Sequence, residues 1–338
     1  MRISFEEMVQ TIQKAFELAG LSPEKARKCA TIHAESSRDG VYSHGLNRVP
    51  RFIDYIQQGW IHLEAEPSLE IHLGAIEVYN GNLGPGVLNA SFSMHRATEI
   101  AKQYGLGLVA LNNTNHWMRG GTYGWQAAEK GFIGICWTNT ESCMPSWGAM
   151  NNNLGNNPFV IAIPRKEGHV VLDMAMSLYS YGKLEVTRQK GQKLTYAGGF
   201  DAHGNLTDDP AAIELTRRIL PTGYWKGSSL AIVLDLLAGI LSKGKTTAEI
   251  DKFGKGNSVG LSQVFLAIDP LKIADQNFID QSLLKTIEQL RNSTSVNETG
   301  EILYPGERSL RTRQENLQMG IPVDKTIWEK VQKLANKQ

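Results

Sequence analysis

Apolar side chains recur at helical spacing over the first part of the chain. Met8, Ile12 and Phe16 lie about one helical turn apart and follow a capping-box sequence, SFEE, at residues 4–7. A second run begins with Ser-Pro-Glu at residue 22, where the proline suits a first helical turn because its missing N–H needs no partner there. The pattern therefore predicts one helix after residue 4 and a second that ends near Arg38.

From residue 69 the spacing changes to alternation and to short apolar runs, which are typical of strands. Strands are predicted at 69–73, 76–79, 107–111, 131–137, 159–164, 170–174 and 263–268, and helices at 87–104, at 227–242 as a buried helix, at 281–291 and near the C-terminus. The sequence therefore predicts an α/β fold of the mixed α+β kind. Its parts are a helical N-terminal part (1–68), a mixed-sheet core (69–300) and a helical C-terminal part (301–338).

Composition narrows the class of protein. The 338 residues are 41% hydrophobic and 20% charged, which is typical of a globular chain, and the net charge of +1 offers no footprint for nucleic acid or an anionic membrane. Three cysteines suit a reducing compartment better than a disulfide framework. The N-terminus has no signal-peptide core, and the apolar run at 230–241 contains Asp235 and is too short to span a bilayer. We expect a cytoplasmic protein without a membrane partner.

The stretch Y-S-H-G-L-N-R at residues 42–48 carries the first candidate chemistry. It is predicted to open a third helix that runs to about Gln58, which would place His44 and Arg48 on one face. This pair suits reduction of a 2-keto acid, because His is a proton donor near neutral pH and Arg binds a carboxylate with two parallel hydrogen bonds. The alternative is a helix-capping Ser43 followed by a surface His and a surface Arg.

One dinucleotide-binding motif is present only as a string of letters. Residues 105–110 read G-L-G-L-V-A, but they follow a predicted helix and open a predicted strand. In the Rossmann fold the order is reversed, so that the pyrophosphate lies at a helix N-terminus. We therefore expect any dinucleotide to be bound by a different architecture.

A second polar stretch, at residues 112–125, follows a predicted strand. It contains Asn115 and His116 between indoles and consecutive glycines, and loops at strand ends commonly carry function. The alternative is a capped loop in which Trp117 and Trp125 anchor the core. No metal site is expected, because the histidines, carboxylates and cysteines show no ligand spacing.

Four motifs carry a resemblance to a known family. They read Y-S-H-G-x-N-R-x-P-R-F, N-H-W-M-R-G-G-x-Y-G-W-Q-A-A-E-K-G, G-I-C-W-T-N and R-R-I-L-P-x-G-Y-W-K-G-S. Together they resemble the type 2 malate/L-lactate dehydrogenase family over nearly the whole chain. The resemblance implies a non-Rossmann NAD-binding fold with a mixed, largely antiparallel sheet and flanking helical parts, working as a homodimer.

Within that family, the chain resembles the branch that uses NADH to reduce 2,3-diketo-L-gulonate, a keto sugar acid, to 3-keto-L-gulonate. The resemblance implies that His44 is the catalytic acid. From the residue types we expect Arg48 to hold the substrate carboxylate, with help from Asn115 or His116. The implied NAD contacts are His169, Val170, Val171, Leu172, Asp173, Met174, Ala175, Trp225, Lys226, Gly306, Glu307 and Arg308. One departure is that residues 305–308 read P-G-E-R where that branch has P-G-H-E.

Several alternatives stay open at the level of the sequence. Asp173 either orients His44 for catalysis or caps a turn at a strand end. Lys226 beside a helix N-terminus suits a pyrophosphate, but it also suits solvent. NADP in place of NAD would need a cation such as Arg308 or Lys183 near the 2′-phosphate. The substrate can also be malate, lactate, ureidoglycolate or a cyclic imino acid, and the chain can also be a non-catalytic binding protein on this fold.

Overall fold

The computed structural model describes residues 1–253, 258–296 and 300–336. The α-helices of this described part are α1 (Phe5–Leu18), α2 (Pro23–Arg38), α3 (Val49–Gln57), α4 (Gly86–Tyr104), α5 (Gly121–Ala128), α6 (Tyr181–Gln189), α7 (Pro210–Thr216), α8 (Trp225–Ser242), α9 (Thr247–Phe253), α10 (Gln276–Arg291), α11 (Glu307–Met319) and α12 (Lys325–Ala335). The first helices begin where the sequence predicts. The Ser4 hydroxyl accepts a hydrogen bond from Glu7 N, and the Ser22 hydroxyl accepts one from Lys25 N.

The strands form one large sheet and several short ladders. They are β1 (Arg2–Ile3), β2 (Ser68–Leu73), β3 (Ile76–Asn80), β4 (Leu106–Asn115), β5 (Ile133–Thr138), β6 (Met144–Pro145), β7 (Asn152–Leu154), β8 (Phe159–Ile163), β9 (Val170–Met174), β10 (Gly199–Phe200), β11 (Leu206–Thr207), β12 (Val259–Ile268) and β13 (Ile321–Pro322). The seven-stranded sheet has the order β2-β3-β4-β12-β5-β8-β9. Among the residues that the structure describes, only β3 and β4 pair in parallel within it, so the expected mixed, largely antiparallel sheet is confirmed.

Helices cover both faces of this sheet. α4 and α5 pack on one face around Trp117, Tyr123 and Phe265, and α8 packs on the other face around Leu234 and Val264. The central strand β12 is consequently buried on both sides, which explains its nearly continuous apolar run. Burial of a side chain such as Phe265, Leu234 or Val264 stabilises the fold by roughly 1.5–3 kcal/mol.

A separate hydrophobic cluster joins the two ends of the chain. Phe16 and Phe52 from the N-terminal helices pack with Trp328 from α12, and all three side chains are buried. Strand β1 also pairs antiparallel with β13. The N-terminal helices therefore have a packing partner that comes from the C-terminus. The division at residues 68 and 300 stays a prediction.

The segment around His44 differs from the predicted helix. Two short 3₁₀ turns, Tyr42–His44 and Leu46–Arg48, precede α3 and are separated by Gly45. A Cβ at Gly45 would collide with Ser37 Oγ, because the chain passes close to α2 at this point. The prediction that His44 and Arg48 lie on one continuous helix is therefore wrong.

Helix α8 also differs from its prediction as a buried helix. One side packs on the sheet, but Val233 is 49% exposed and Ile240 is 69% exposed. By length and composition alone α8 is apolar enough to cross a membrane, although many core helices meet the same criterion. Its Asp235 carboxylate accepts hydrogen bonds from Asn139 Nδ2 and Thr247 N, which ties the helix into the fold.

Residues 105–110 have the order of elements that the sequence predicts, with a helix before Gly105 and a strand after it. Gly105 ends α4 in the left-handed conformation, with φ 86°, and β4 begins at the next residue. The amides of this string therefore belong to a helix C-terminus and a strand, and they are not aimed at a ligand in the Rossmann manner.

Candidate active site

Tight backbone packing positions the His44 side chain. Ser37 Oγ at the end of α2 accepts a hydrogen bond from Leu46 N at 2.9 Å, which holds the second 3₁₀ turn. The Ser43 hydroxyl lies 3.0 Å from His44 Nδ1. One imidazole nitrogen is therefore occupied by a neighbouring side chain, and Nε2 remains for a ligand.

His116 joins His44 from the end of the second motif. The two imidazole rings are stacked, with centroids 5.8 Å apart and an angle of 17° between their planes. Met118 N donates a hydrogen bond to His116 Nδ1 at 2.9 Å, so a neutral His116 carries its proton on Nε2. The structure thus brings together two residues that are 72 positions apart and presents an N–H donor beside His44.

Both imidazoles are neutral near pH 7. Burial lowers the pKa of His44 to about 4, and the positive charges of Arg48 and Arg119 act in the same direction. Burial is also the largest reason why the pKa of His116 lies well below its usual value, with Arg48 and His44 adding to the effect. A bound anion would offset the Arg48 charge and favour the protonated form of His44.

A cavity opens beside these rings. It is lined by Arg48, Arg51, Phe52, Tyr55, His116, Met118, Glu141 and Ser258 and is hereafter the Arg48 cavity. The Arg48 Nε is buried and has no hydrogen-bond partner in the part of the chain that the structure describes. Burial lowers the pKa of Arg48, with Arg51 adding to the effect, so an anion is the missing partner.

The Asn115 side chain forms its hydrogen bonds with the backbone and is not part of the lining of the Arg48 cavity. Its Nδ2 donates hydrogen bonds to Leu83 O at 2.7 Å and to Gly84 O at 3.0 Å, which joins the end of β4 to the preceding turn. Its Oδ1 is buried without a partner in the described residues. The role of Asn115 in substrate binding stays a prediction, and His116 is the residue of this pair that lines the Arg48 cavity.

Asp173 lies at the N-terminus of α5. Its Oδ2 accepts a hydrogen bond from Gly121 N at 3.0 Å and lies 3.5 Å from Arg119 Nε. Within residues 1–253, 258–296 and 300–336, no hydrogen bond joins Asp173 to His44. These contacts join Asp173 to the first amide of α5 and to Arg119, not to a turn at the end of β9, and the catalytic role of Asp173 stays a prediction.

Arg119 connects Asp173 to a buried group of charges. Asp39 forms ion pairs with Arg119 at 2.6 Å, with Arg313 at 2.7 Å and with Arg38 at 2.8 Å; these four residues are the Asp39 cluster. Burial alone would raise the pKa of Asp39, but the hydrogen bonds and charges of the arginines outweigh it and lower the pKa. The Asp39 cluster fixes the end of α2, immediately before the turns that carry His44.

The predicted cofactor segments lie along strand β9, at one edge of the sheet. At the start of the strand, Val171 N donates to Pro305 O at 2.8 Å, and a Cβ at Gly306 would lie 3.0 Å from Val171 N. At its end, Thr222 N donates to Met176 O at 2.7 Å, and the chain then enters α8. Segments 169–175, 225–226 and 306–308 are therefore brought to one side of the molecule.

The donors of these segments suit a dinucleotide. α8 has no side-chain cap at its N-terminus, and the exposed Lys226 lies in its first turn, which favours a phosphate group. Glu307 differs from the other proposed cofactor contacts because its side chain is buried and already paired. It forms ion pairs with Arg311 at 2.6 Å and Arg291 at 3.2 Å. Arg308 is exposed at the surface of α11.

Sequence reasoning missed several residues of the site. Arg51 and Tyr55 follow Arg48 at helical spacing, which was an available signal for a shared face. Arg119 was visible within the second motif but without an indication of its partners. Nothing near Glu141 in the sequence indicates that this residue faces the same cavity, because the contact depends on the sheet.

Comparison with known proteins assigns the chain to a family. The family described as malate/L-lactate dehydrogenase matches residues 3–332. A 2,3-diketo-L-gulonate reductase of Pasteurella multocida (strain Pm70) is 46% identical over 334 residues, which cover 99% of this chain and 100% of that protein.

Two solved structures share the fold. Malate dehydrogenase from Entamoeba histolytica has a TM-score of 0.94 at 24% identity, over 100% of this chain and 99% of that one. Sulfolactate dehydrogenase from Methanocaldococcus jannaschii has a TM-score of 0.88 at 29% identity, over 99% and 97%. The resemblance seen in the motifs is confirmed, and the chain belongs to the malate/L-lactate dehydrogenase family of oxidoreductases, enzymes that use a nicotinamide cofactor.

Proposed function

We propose that this enzyme reduces 2,3-diketo-L-gulonate at its C2 ketone, with NADH, to 3-keto-L-gulonate. The proposal is supported by the 2,3-diketo-L-gulonate reductase that is 46% identical over the whole of its length. The single observation in the fold that carries the chemistry is the stacking of His44 on His116. His116 lines one cavity with Arg48, whose Nε has no hydrogen-bond partner among the residues that the structure describes.

Arg48 binds the carboxylate of the keto acid. Its guanidinium presents a planar fork that matches a carboxylate, and the buried Nε lacks any other partner in the described residues. Bound in this way, the carboxylate orients the adjacent C2 ketone. His116 Nε2–H, fixed by the Met118 hydrogen bond, then donates to a keto oxygen and polarises it.

His44 supplies the proton. NADH, when bound, supplies the hydride to C2, and the oxygen that gains negative charge takes the proton of His44 Nε2. The Ser43 hydroxyl at His44 Nδ1 keeps the ring oriented during the transfer. Burial is the largest cause of the lowered pKa of His44, and the Arg48 charge adds to it. The substrate carboxylate favours protonation of His44 because it offsets the Arg48 contribution.

Residues along β9 and at the start of α8 hold the cofactor. The proposed contacts are residues 169–175, Trp225, Lys226 and residues 306–308, and Lys226 with the first turn of α8 binds the pyrophosphate. In this arrangement Asp173 supports the site through Gly121 and Arg119. NAD is the proposed form, and the preference is tested by comparing NADH with NADPH as reductant.

The activity is tested with purified protein by following NADH oxidation. The substrates are 2,3-diketo-L-gulonate, oxaloacetate and pyruvate, each measured for kcat/KM. We expect a strong preference for the diketo sugar acid. A preference for oxaloacetate or pyruvate would move the enzyme to a branch that acts on simpler 2-hydroxy and 2-keto acids, with the same His44 and Arg48 roles.

We also propose that the enzyme is a cytoplasmic homodimer. The exposed apolar side chains of α8 support a second copy as the partner, because such a continuous face is rarely left in water. Light scattering after size exclusion should give twice the chain mass of 37.4 kDa. Ile240→Glu on this face should shift the population to monomer, whereas Ile273→Glu, at an exposed position outside α8, should leave the dimer unchanged.

A further inference from the structure

Glu141 is a carboxylate in the Arg48 cavity that the proposed mechanism does not use. It follows β5, and its neighbours hold the backbone in place: Asp251 Oδ1 accepts a hydrogen bond from Ser142 N at 2.9 Å, and Thr140 Oγ1 donates to Glu141 O at 3.1 Å. The side chain has no hydrogen bond or ion pair within the described residues, although it lines the cavity. A fixed backbone with a free carboxylate is suited to a ligand.

The charge of the cavity is matched to one kind of substrate. Arg48 and Arg51 contribute two positive charges, Glu141 contributes one negative charge, and both imidazoles are neutral near pH 7. Arg217 and Asp251 also act on Glu141 from outside the lining, but their charges are opposite and cancel in the sum. The cavity therefore has a net charge of about +1, which suits a keto acid with a single carboxylate. A keto acid with a second carboxylate would place a negative charge near Glu141.

The environment of Glu141 also favours hydroxyl donors. The Glu141 side chain is partly buried and so has lost part of its hydration, and this burial raises the pKa of its carboxyl group. Ionised carboxylates accept short, strong hydrogen bonds from hydroxyl groups, and the Tyr55 hydroxyl is a second polar group in the same lining. A polyhydroxylated tail supplies such donors, whereas pyruvate and oxaloacetate supply none.

We propose that Glu141 is the specificity-determining residue of this site: it accepts hydrogen bonds from the tail hydroxyls of a monoanionic keto sugar acid and repels dicarboxylic keto acids. This inference rests on the proposed function, because it names the residue that selects among substrates at the same site. Arg48 binds the carboxylate end of the substrate. Glu141, which follows β5, accepts hydrogen bonds from its hydroxylated tail.

The test compares Glu141→Gln with the wild-type enzyme on the three substrates. Loss of a charged hydrogen bond should lower kcat/KM for 2,3-diketo-L-gulonate about 10- to 100-fold. Loss of the negative charge should raise kcat/KM for oxaloacetate about 10-fold. Pyruvate, which has one carboxylate and no tail, should be unaffected.

Two further variants sharpen the result. Glu141→Asp keeps the charge but shortens the reach, so it should lower activity on the diketo sugar acid without improving oxaloacetate. Asp54→Asn removes an exposed carboxylate on α3, one residue before Tyr55. It is the matched control because Asp54 accepts a hydrogen bond from Gln58 outside the cavity. It should leave all three substrates unchanged. NADH affinity and melting temperature check that each variant is folded.

The outcomes separate this inference from the proposed function. If Glu141→Gln changes all three substrates equally, or if Asp54→Asn reproduces its pattern, Glu141 does not select the substrate. If the wild-type enzyme does not reduce 2,3-diketo-L-gulonate at all, the proposed function is wrong. A wild-type enzyme that reduces it, with an unchanged substrate ratio in Glu141→Gln, overturns the inference alone.

Discussion

Two arginine-rich regions lie close to His44, and they differ in how their charges are paired. In the Asp39 cluster, three guanidinium groups lie within 2.6–2.8 Å of one carboxylate. In the Arg48 cavity, neither Arg48 nor Arg51 has an ion pair within 4 Å in the described residues, and Arg48 Nε has no hydrogen-bond partner. Arg119 Nε also lacks a hydrogen bond, but it lies 3.5 Å from Asp173 Oδ2. Every arginine of the Asp39 cluster therefore has an ion pair, whereas neither arginine of the Arg48 cavity has one in the part of the chain that the structure describes.

This difference distinguishes charged side chains that stabilise the fold from charged side chains that bind a ligand. Buried charges that satisfy one another hold elements in place, because removing one member leaves the others unpaired in a poorly hydrated site. A partly buried charge without a partner costs stability and persists where a ligand completes it. The Asp39 cluster should therefore respond to mutation in stability, and the Arg48 cavity should respond in activity.

The largest expected effect is on catalysis by His44. His44→Ala removes the proton donor and should lower kcat about 10²- to 10⁴-fold. Steady-state NADH oxidation with 2,3-diketo-L-gulonate measures the change. The melting temperature and NADH affinity should stay near the wild-type values. A His44→Ala enzyme that is folded and fully active would show that another group supplies the proton.

The next effect is on stability and concerns Asp39. Asp39→Asn keeps the shape of the side chain but removes the shortest ion pairs of Arg119 and Arg313. Only the longer contacts to Asp173 at 3.5 Å and to Glu129 at 3.6 Å then remain for these two arginines, so the substitution should lower the free energy of unfolding by about 3–5 kcal/mol. Chemical denaturation followed by circular dichroism measures the loss. Asp54→Asn, at an exposed carboxylate, should change it little. An Asp39→Asn protein as stable as the Asp54→Asn control would mean that the Asp39 cluster is not structural.

Arg48 should show the opposite behaviour. Arg48→Lys keeps a positive charge but loses the two-pronged contact, so kcat/KM for the keto acid should fall about 10- to 100-fold. Arg48→Met should not lower the free energy of unfolding, because it removes an unpaired buried charge. The comparison between the two regions fails if Arg48→Met destabilises the protein as much as Asp39→Asn does.

The smallest effect is a proton uptake on substrate binding. In the free enzyme the pKa of His44 is lowered to about 4, and a carboxylate at Arg48 raises it toward its usual value near 6.5. Binding of the unreactive keto-acid analogue oxamate should therefore take up a fraction of a proton between those two pH values and weaken as pH rises through them. Calorimetry in buffers of different ionisation enthalpy measures the uptake. His44→Gln should abolish it, and an unchanged uptake would assign the proton to another group.

Helix caps and hydrophobic periodicity, which depend on neighbouring residues in the sequence, were sufficient to predict much of the architecture. The caps at Ser4, Ser22 and Asp324 mark helix starts because each side-chain oxygen accepts a hydrogen bond from the amide three residues later. Strand β9 matches its predicted bounds, since its apolar run is short and ends at a turn. His44 and Arg48 were found as candidates because their motif lies within one short stretch.

Contacts between distant segments were decided only by the tertiary structure. Arg119 and Asp39 are 80 residues apart, and Asp173 lies 52 residues from the amide that it caps. The even apolar pattern of α8 does not indicate which side meets the sheet, so its exposed face could not be predicted. Capping and periodicity depend on neighbours in sequence, whereas the pairing of charges and the lining of the Arg48 cavity depend on which strands and helices become neighbours in space.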